Sequence, residues 1–454
     1  MAKQKRCRKK KQPPRNKDQY AQLASEYIIP ATPVLDDISA QAHNLYNRAL
    51  YDVRHGFFKH EYVDFGKLNT MFKNRCNAKE NMLYRKMGYV QSAQQTLREV
   101  MNVWFAWISA LKAYQTEPSK FSGRPKMPKY LHRKQRHTFY VTNQNAKIVR
   151  RDKNDKDFLV INKLGIKVKL ASSQIEKIGR IVIKPLAHGY KLIVPYKTNK
   201  KIEYLPDNGR YIGIDPGVDN AFACVSNTGA QPLLVNGRAV KSVNQYYNKK
   251  RSQLKILQAQ YHQKEKMIST KQSSKPVYQE TQAMMRITDW RNAKIRQFAH
   301  KASKCIVDYA LSCDANTIVI GKNKSWKRSS DMGKRNNQNF IGIPHQAMIN
   351  LIKYKANLNG ITVIQTNESY TSQTSALDHE KPCWNNGNKS RKSQGKNPIN
   401  RRLERGLFRA NDGTLINADV NGALQIIKKV FPNFALDNGI AGAVLRPIKW
   451  SPTI

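Results

Sequence analysis

Acidic residues are scarce in this chain: 31 Asp and Glu stand against 80 Lys and Arg, a formal net charge of +49. The surplus runs along the whole length rather than sitting in one tail, and it points to a polyanionic partner. Cysteine is sparse too. The six present (Cys7, Cys76, Cys224, Cys305, Cys313 and Cys383) include no CxxC pair, which leaves no support for a disulfide framework or a four-thiolate zinc site. A reducing compartment is the default. No apolar run approaches the roughly 18 residues of a membrane span, and the sequence offers no apolar anchor, so a membrane-surface protein is not the reading. The N-terminal MAKQKRCRKKKQPPRNK lacks a following apolar stretch and is therefore no secretory signal. It reads as a phosphate-binding arm.

What is present suffices for real cores: 454 residues with 40% apolar content correspond to about three domains. After the tail (1–17), YAQLASEYIIPATPV is strand-like. A helical module over 35–112 follows, with Ile38, Ala42, Leu45 and Ala49, and then Ala93, Leu97, Val100, Trp104 and Ile108, at helical spacing. Residues 18–34 and 113–204 carry short alternating runs (HTFYVT, FLVIN, IKVKL, GRIVIK, YKLIVPYK) that predict an antiparallel β-domain, a barrel. From Tyr211 the pattern changes again. YIGIDPGVDNAFACVS gives two strands and PLLVN a third; two long helices, the strand NTIVIG, a helix between Pro344 and Gly360, the strand ITVIQTNE and the helix INADVNGALQIIKKV complete it. That is the element order of an RNase H-like sheet, so the fold class expected is multidomain α+β with an α/β nuclease-type domain over 205–377 and 407–432.

In such a sheet, phosphodiester cleavage takes two divalent ions about 4 Å apart, and acidic side chains must converge on them from several elements. Magnesium takes oxygen ligands. Asp215, at the end of the first strand, also reads as an Asp-Pro-Gly turn residue bonding its own backbone. Asp419, in the first turn of the last helix, also reads as a helix-dipole partner, and Glu368 as a surface residue after a strand. What favours a site is their co-occurrence where this topology brings the first strand and the last helix together.

At GIDPGVDN, IVIGKNKSWK, NESYTSQTS and NADVNGA, in this order, the chain resembles TnpB, the transposon-encoded RNA-guided nuclease related to type V CRISPR effectors. GRPKMPKY and the β-rich segment resemble that family's wedge domain, and the helices before them its recognition domain. The resemblance implies a RuvC-like nuclease domain, a guide RNA, a double-stranded DNA target next to a short adjacent motif, and two Mg²⁺ ions (or Mn²⁺) with no small-molecule cofactor. It also implies a prokaryotic, cytoplasmic, nucleoid-associated protein. Asp215, Glu368 and Asp419 would be the catalytic, metal-binding residues.

Two departures from the family pattern matter. Gly321, Lys322 and Asn323 stand where the family's glutamate motif ends the fourth strand, and glycine binds no metal. Either the site is dead or Glu368 has taken over, as in a branch with a rearranged glutamate, which is the reading adopted. The family's zinc ribbon is also missing: Ser375 and Asp378 replace the first two thiolates, Ala410 and Gly413 lie near the second pair, and no zinc is expected. A polar basic insertion, 378–406, takes its place, and Cys383 with His379 is too little for a metal. Residues 433–454 read as a tail.

The densest basic run outside the arm is Arg124, Lys126, Lys129, Arg133, Lys134 and Arg136, read as phosphate contacts that give affinity without reading bases. Tyr46, Tyr51, Trp104 and Trp107 sit at helical spacing and read as core rather than base-stacking residues. Two other functions stay open. One is a nuclease-inactive RNA-guided DNA-binding repressor, favoured by Gly321. The other is an unguided transposase or resolvase, for which the large basic modules would be superfluous.

Overall fold

Thr32 starts the first long helix: its hydroxyl accepts from Leu35 N, and Pro33 occupies the first turn, where no backbone N–H is needed. In the computed structural model, the described residues are 20–132, 136–149, 157–170, 175–268, 280–322, 342–369, 371, 374–378, 380, 402–404, 406–433, 442 and 444–453. The chain divides into two units, Met1–Lys201 and Ile202–Ile454.

The first unit holds helices α1 (Pro33–Phe58), α2 (Phe65–Asn77) and α3 (Val90–Thr116). Its larger sheet is antiparallel and contains β1 (Tyr20–Ile29), β2 (Phe139–Val141), β6 (Ile175–Ile178), β7 (Ile181–Pro185) and β8 (Tyr190–Lys201), in the order β1-β8-β7-β2, with β6 also on β8. A separate sheet joins β3 (Lys147–Val149), β4 (Phe158–Ile161) and β5 (Ile166–Lys169). The expected barrel is therefore two sheets, and neither closes among the described residues. Alternating side chains specify which face of a strand is buried, not whether its edges meet. Leu45, Ala49, Leu97 and Val100 of the helices share one core with Ile181, Ile183, Leu192 and Val194 of the sheet. No break in packing separates helical from β segments.

The second unit is built on a six-stranded sheet in the order β13-β12-β9-β10-β11-β17. Here β9 is Tyr211–Pro216, β10 Asn220–Ser226, β11 Leu233–Asn236, β12 Thr317–Gly321, β13 Thr362–Thr366 and β17 Ile448–Trp450. The first three form an antiparallel meander; β12 adds parallel to β9, and β13 parallel to β12. The stretch read as a C-terminal tail contributes β17, parallel to β11. Helices α4 (Arg238–Ile268), α5 (Gln282–Ser312) and α6 (His345–Leu358) follow in the chain, and α7 (Ala418–Val430) comes after a small sheet of β14 (Arg402–Glu404), β15 (Leu407–Arg409) and β16 (Leu415–Asn417).

Helices cover both faces of the large sheet, which is why β9 and β12 read as continuous apolar runs rather than alternating ones. Ile212, Ile214, Ile318 and Ile320 meet Phe298, Ala302, Met348 and Ile352 on one side. Ala223, Val225 and Leu234 meet Val420, Ala423 and Leu424 of α7 on the other. Tyr211, at the start of β9, stacks on Phe431, just beyond α7, with ring centroids 3.9 Å apart and planes 2° off parallel. The helix that carries Asp419 is thus fixed to the strand that carries Asp215. Among the described residues no helix is long and apolar enough to cross a membrane.

Candidate active site

Helix α7 organises the three expected acids along one face. Residues 419, 422, 426 and 429 are spaced three, four and three apart, so their side chains rise up a single stripe. Asp419 stands in the first turn, where the Asn417 side chain caps the helix by accepting from Asp419 N at 3.0 Å. Asn220, opening β10, donates through Nδ2 to Asp419 Oδ2 at 2.8 Å. One turn on, the carboxylate of Asp215 lies against the helix backbone: a Cβ added at Gly422 would stand 2.6 Å from Asp215 Oδ2. Only glycine leaves that room, and a glycine inside a helix is otherwise a cost.

A further turn along, Glu368 occupies the place that the side chain of residue 321 would take. A Cβ added at Gly321 would stand 3.0 Å from Glu368 Oε2, 3.0 Å from Glu368 Cβ and 2.5 Å from Ile426 Cδ1. In the parallel register Ile320 pairs with Ile214, so Gly321 is level with Asp215 on the neighbouring strand, about 4.8 Å away. The Glu368 carboxylate and that of Asp215 therefore reach the same face of the sheet, under the same helix. Glu368 Oε2 is buried, while Asp215 and Asp419 are half-buried. A fourth acid nearby, Asp219, is held by Lys241, whose Nζ lies 2.5 Å from Asp219 Oδ1. His345 bonds the carbonyl of Gly217 through Nε2 at 2.8 Å and so holds the turn after Asp215.

Three carboxylates make a hard-oxygen donor set, the kind that takes Mg²⁺ or Mn²⁺. As they stand they are strung out rather than gathered: Asp419 to Ile426 spans roughly 10 Å of helix at about 1.5 Å per residue. Among the described residues, accordingly, no group of three or more His, Cys, Asp or Glu could hold a metal ion in its present arrangement.

The stretch around Ser375 and Asp378 is tied by hydrogen bonds. Ser375 N donates to Glu380 Oε2 at 2.8 Å, and Asn411 N donates to both oxygens of Asp378, at 3.1 and 3.0 Å. Asn421, fully buried in α7, bonds Thr374 O and Ala376 N. The insertion itself, with His379 and Cys383, falls largely outside the described residues, as do the N-terminal arm and Asn323.

In the first unit, Arg124, Lys126 and Lys129 are exposed on a segment fastened to the helices. Trp107 Nε1 donates to Pro125 O, Asn47 bonds both Leu131 N and O, and Ser39 donates to His137 O. Arg136 turns inward instead: its guanidinium bonds Asp36 Oδ1 and Leu186 O, and lies over Tyr190. A charge run does not say which of its members the fold itself uses. Arg133 and Lys134 lie outside the described residues. Tyr46 and Trp104 are core, whereas Tyr51 is 48% exposed and stacks on His55.

Sequence reasoning passed over Asn220, Gly422 and Lys429. The glycine inside a helix was the one available signal of close approach.

Two family models match this chain. One, OrfB_IS605, described as a probable transposase, covers residues 193–327, and the other, described as a Cas12f1-like TNB domain, covers residues 345–426. Curated proteins give no match. Among solved structures, a Cas12f1 complex with single-guide RNA and target DNA aligns at TM-score 0.46 and 14% identity, over 87% of this chain and 82% of that one. A CRISPR-Cas12f ternary complex aligns at TM-score 0.31 and 13% identity, over 87% and 80%. C2c1 of Alicyclobacillus acidoterrestris with single-guide RNA aligns at TM-score 0.32 and 9% identity, over 88% and 70%. Likenesses this distant assign no chemistry. The two matched stretches contain Asp215 and Gly321 in the first, and Glu368 and Asp419 in the second, and they support this chain as a TnpB-like relative of the type V effectors.

Proposed function

We propose that the protein is an RNA-guided DNA endonuclease in which Asp215, Glu368 and Asp419 bind two Mg²⁺ ions. The observation that carries this reading is the stripe on α7. A single helix face bears Asp419, receives the Asp215 carboxylate at Gly422, and lies beside the Glu368 carboxylate over Gly321. Asp215, Asp419 and Glu368 would be the residues that hold the ions. Bound divalent ions activate water and neutralise the phosphate in such sites. The chain's own part is to orient and exclude: Asn220 aims Asp419, Lys241 takes Asp219 out of competition, and Gly321 leaves space for the relocated acid.

In this reading the guide supplies sequence specificity by pairing, and the protein reads a short adjacent motif and the shape of the heteroduplex. Arg124, Lys126 and Lys129 on their fastened segment contact phosphates. Segment 35–112 serves as the recognition region and 18–34 with 113–204 as the wedge region, and the loop around Ser375 and Asp378 works without zinc.

Protein purified with its co-expressed RNA is expected to cut a matched DNA in Mg²⁺, and Asp215→Ala to abolish cutting while sparing binding. Sequencing the co-purifying RNA separates this from an unguided transposase, which would carry no discrete RNA. A second reading, guided binding without cleavage, is favoured by Gly321 and by the ungathered state of the acids; retained guided binding with no cutting in Mg²⁺ or Mn²⁺ would decide for it.

A further inference from the structure

We infer that Lys429 is a positioning residue for Glu368, a clamp that holds the loop on which the relocated acid rides. The inference rests on the reading of Glu368 as a metal-binding acid and deepens it. Glu368 lies two residues beyond the end of β13, where the strand ladder no longer fixes the backbone. An acid moved from a strand end to a loop loses the rigidity that an ion-binding geometry requires.

Lys429 supplies a replacement from α7. Its Nζ donates to Asn367 O at 3.1 Å and to Ser369 O, the carbonyls on either side of Glu368. Thr371 adds a bond from Oγ1 to Glu368 O at 2.9 Å, and Asn367 Oδ1 accepts from Ser369 N at 2.9 Å. The same helix face thus sets Asp419, accommodates Asp215 and grips the backbone under Glu368.

A lysine in the last turn of a helix ordinarily lies in solvent, where it complements the dipole. Lys428 does so in part, but Lys429 is only 7% exposed. Burying an ammonium is unfavourable unless its donors are used, and here they are directed at the one loop whose position the site depends on.

The test compares Lys429→Met with the unaltered full chain, purified with its RNA, using Mg²⁺ alone as the varied ligand. The variant is expected to melt as a folded protein and to hold RNA and DNA, but to need about 10- to 100-fold more Mg²⁺ for half-maximal cutting, the usual effect of losing a residue that orients a ligand. The direction is informative. Removing a nearby positive charge would by itself favour cation binding, and a merely structural lysine would lower the melting temperature with the Mg²⁺ requirement unchanged. An unchanged or lowered requirement therefore overturns the clamp. Should Lys429→Met not fold, Lys429→Arg, which keeps several donors, is compared with Lys429→Gln, and an equal Mg²⁺ requirement in the two overturns it. Glu368→Gln is measured alongside. Full cutting by that variant removes the active-site reading and the clamp with it, whereas a dead Glu368→Gln beside an unaffected Lys429→Met removes the clamp alone.

Discussion

Adding one methyl group at residue 321 tests the proposed site without touching any acid. In Gly321→Ala the new Cβ would stand 2.5 Å from Ile426 Cδ1 and 3.0 Å from both Cβ and Oε2 of Glu368. Carbon contacts settle at about 3.5–4.0 Å, so the isoleucine tip must give by roughly 1 Å and the carboxylate by at least half that. Ile426 is fully buried between α7 and the sheet, so its tip has little room to turn away, and Glu368 on its loop must give as well to relieve its own contacts. Overpacking of this kind costs about 1–3 kcal/mol of stability. That is a shift of about 2–12 °C in melting temperature for a unit of this size. The effect on chemistry is larger, because a misplacement of about 1 Å at a reacting centre costs on the order of 10²-fold in rate. Single-turnover cleavage at saturating Mg²⁺ is therefore expected to fall by about 10- to 100-fold, with RNA and DNA binding intact. In a Glu368→Gln background the same substitution should cost nothing further, since the acid it displaces is already gone. Cutting by Gly321→Ala within twofold of the unaltered protein, at a near-normal melting temperature, would show that the carboxylate over Gly321 has no part in the reaction.

Other residues give independent tests. Asn220→Ala removes the 2.8 Å bond that aims Asp419; cleavage should drop by about tenfold, a loss of about 1.4 kcal/mol, while melting barely moves, and an unaltered rate would refute the aiming role. In the first unit, Asp52 is gripped by Arg75 through bonds of 2.5 and 3.2 Å and is only 6% exposed. Asp52→Ala should cost about 2–4 kcal/mol by leaving a half-buried guanidinium behind, as read from thermal or denaturant unfolding. Asp378→Ala removes the link to Asn411 N and should cost about 1 kcal/mol in the second unit; no loss would show that the stretch around Ser375 and Asp378 does not depend on it. Burial, and then the charge and hydrogen bond of Glu99, push the Tyr140 hydroxyl up to about 12. The fold favours the neutral phenol, so its contribution is fully present below the unfolded value near 10 and is lost between there and about 12. Tyr140→Phe should flatten that part of the stability–pH profile, and an identical profile would refute the assignment.

How much of this was legible in the sequence depended on how far each feature travels along the chain. Asp215 and Asp419 stood at element ends in a recognisable order, and the order of elements is what brings them together. Glu368 could be proposed only because Gly321 left an empty place in that order. Lys429 was not legible, because KKV at a helix end reads as solvated charge, and its burial depends on a loop sixty residues upstream in sequence. The alternating runs of the first unit correctly marked strands, yet closure of a sheet is decided by edge geometry that no run of side chains encodes. Three residues of β17 were too short to announce themselves, and they gained a partner only from the exposed edge of β11. Arg136 failed for the opposite reason: its neighbours share its charge, but Asp36, a hundred positions earlier, claims it.

The placing of Glu368 over Gly321 has a steric logic. Gly321 pairs with Thr366 in the parallel ladder, so Glu368 is only two residues past the position directly across from it. Neighbouring strands lie about 4.8 Å apart, and the two methylenes of a glutamate bridge that step only if nothing projects from the first strand. A Cβ at 321 would stand 2.5 Å from Ile426 Cδ1, closer than real Cβ atoms come, and 3.0 Å from Cβ and Oε2 of Glu368, so the isoleucine tip must move and the glutamate must give by a few tenths of an ångström. A small residue at 321 therefore leaves Glu368 its present place, and a larger one there crowds it. In related chains, then, Glu at the position of 368 should occur with Gly at that of 321, and a bulky residue at 321 beside a glutamate at 368 in an active nuclease would break the argument.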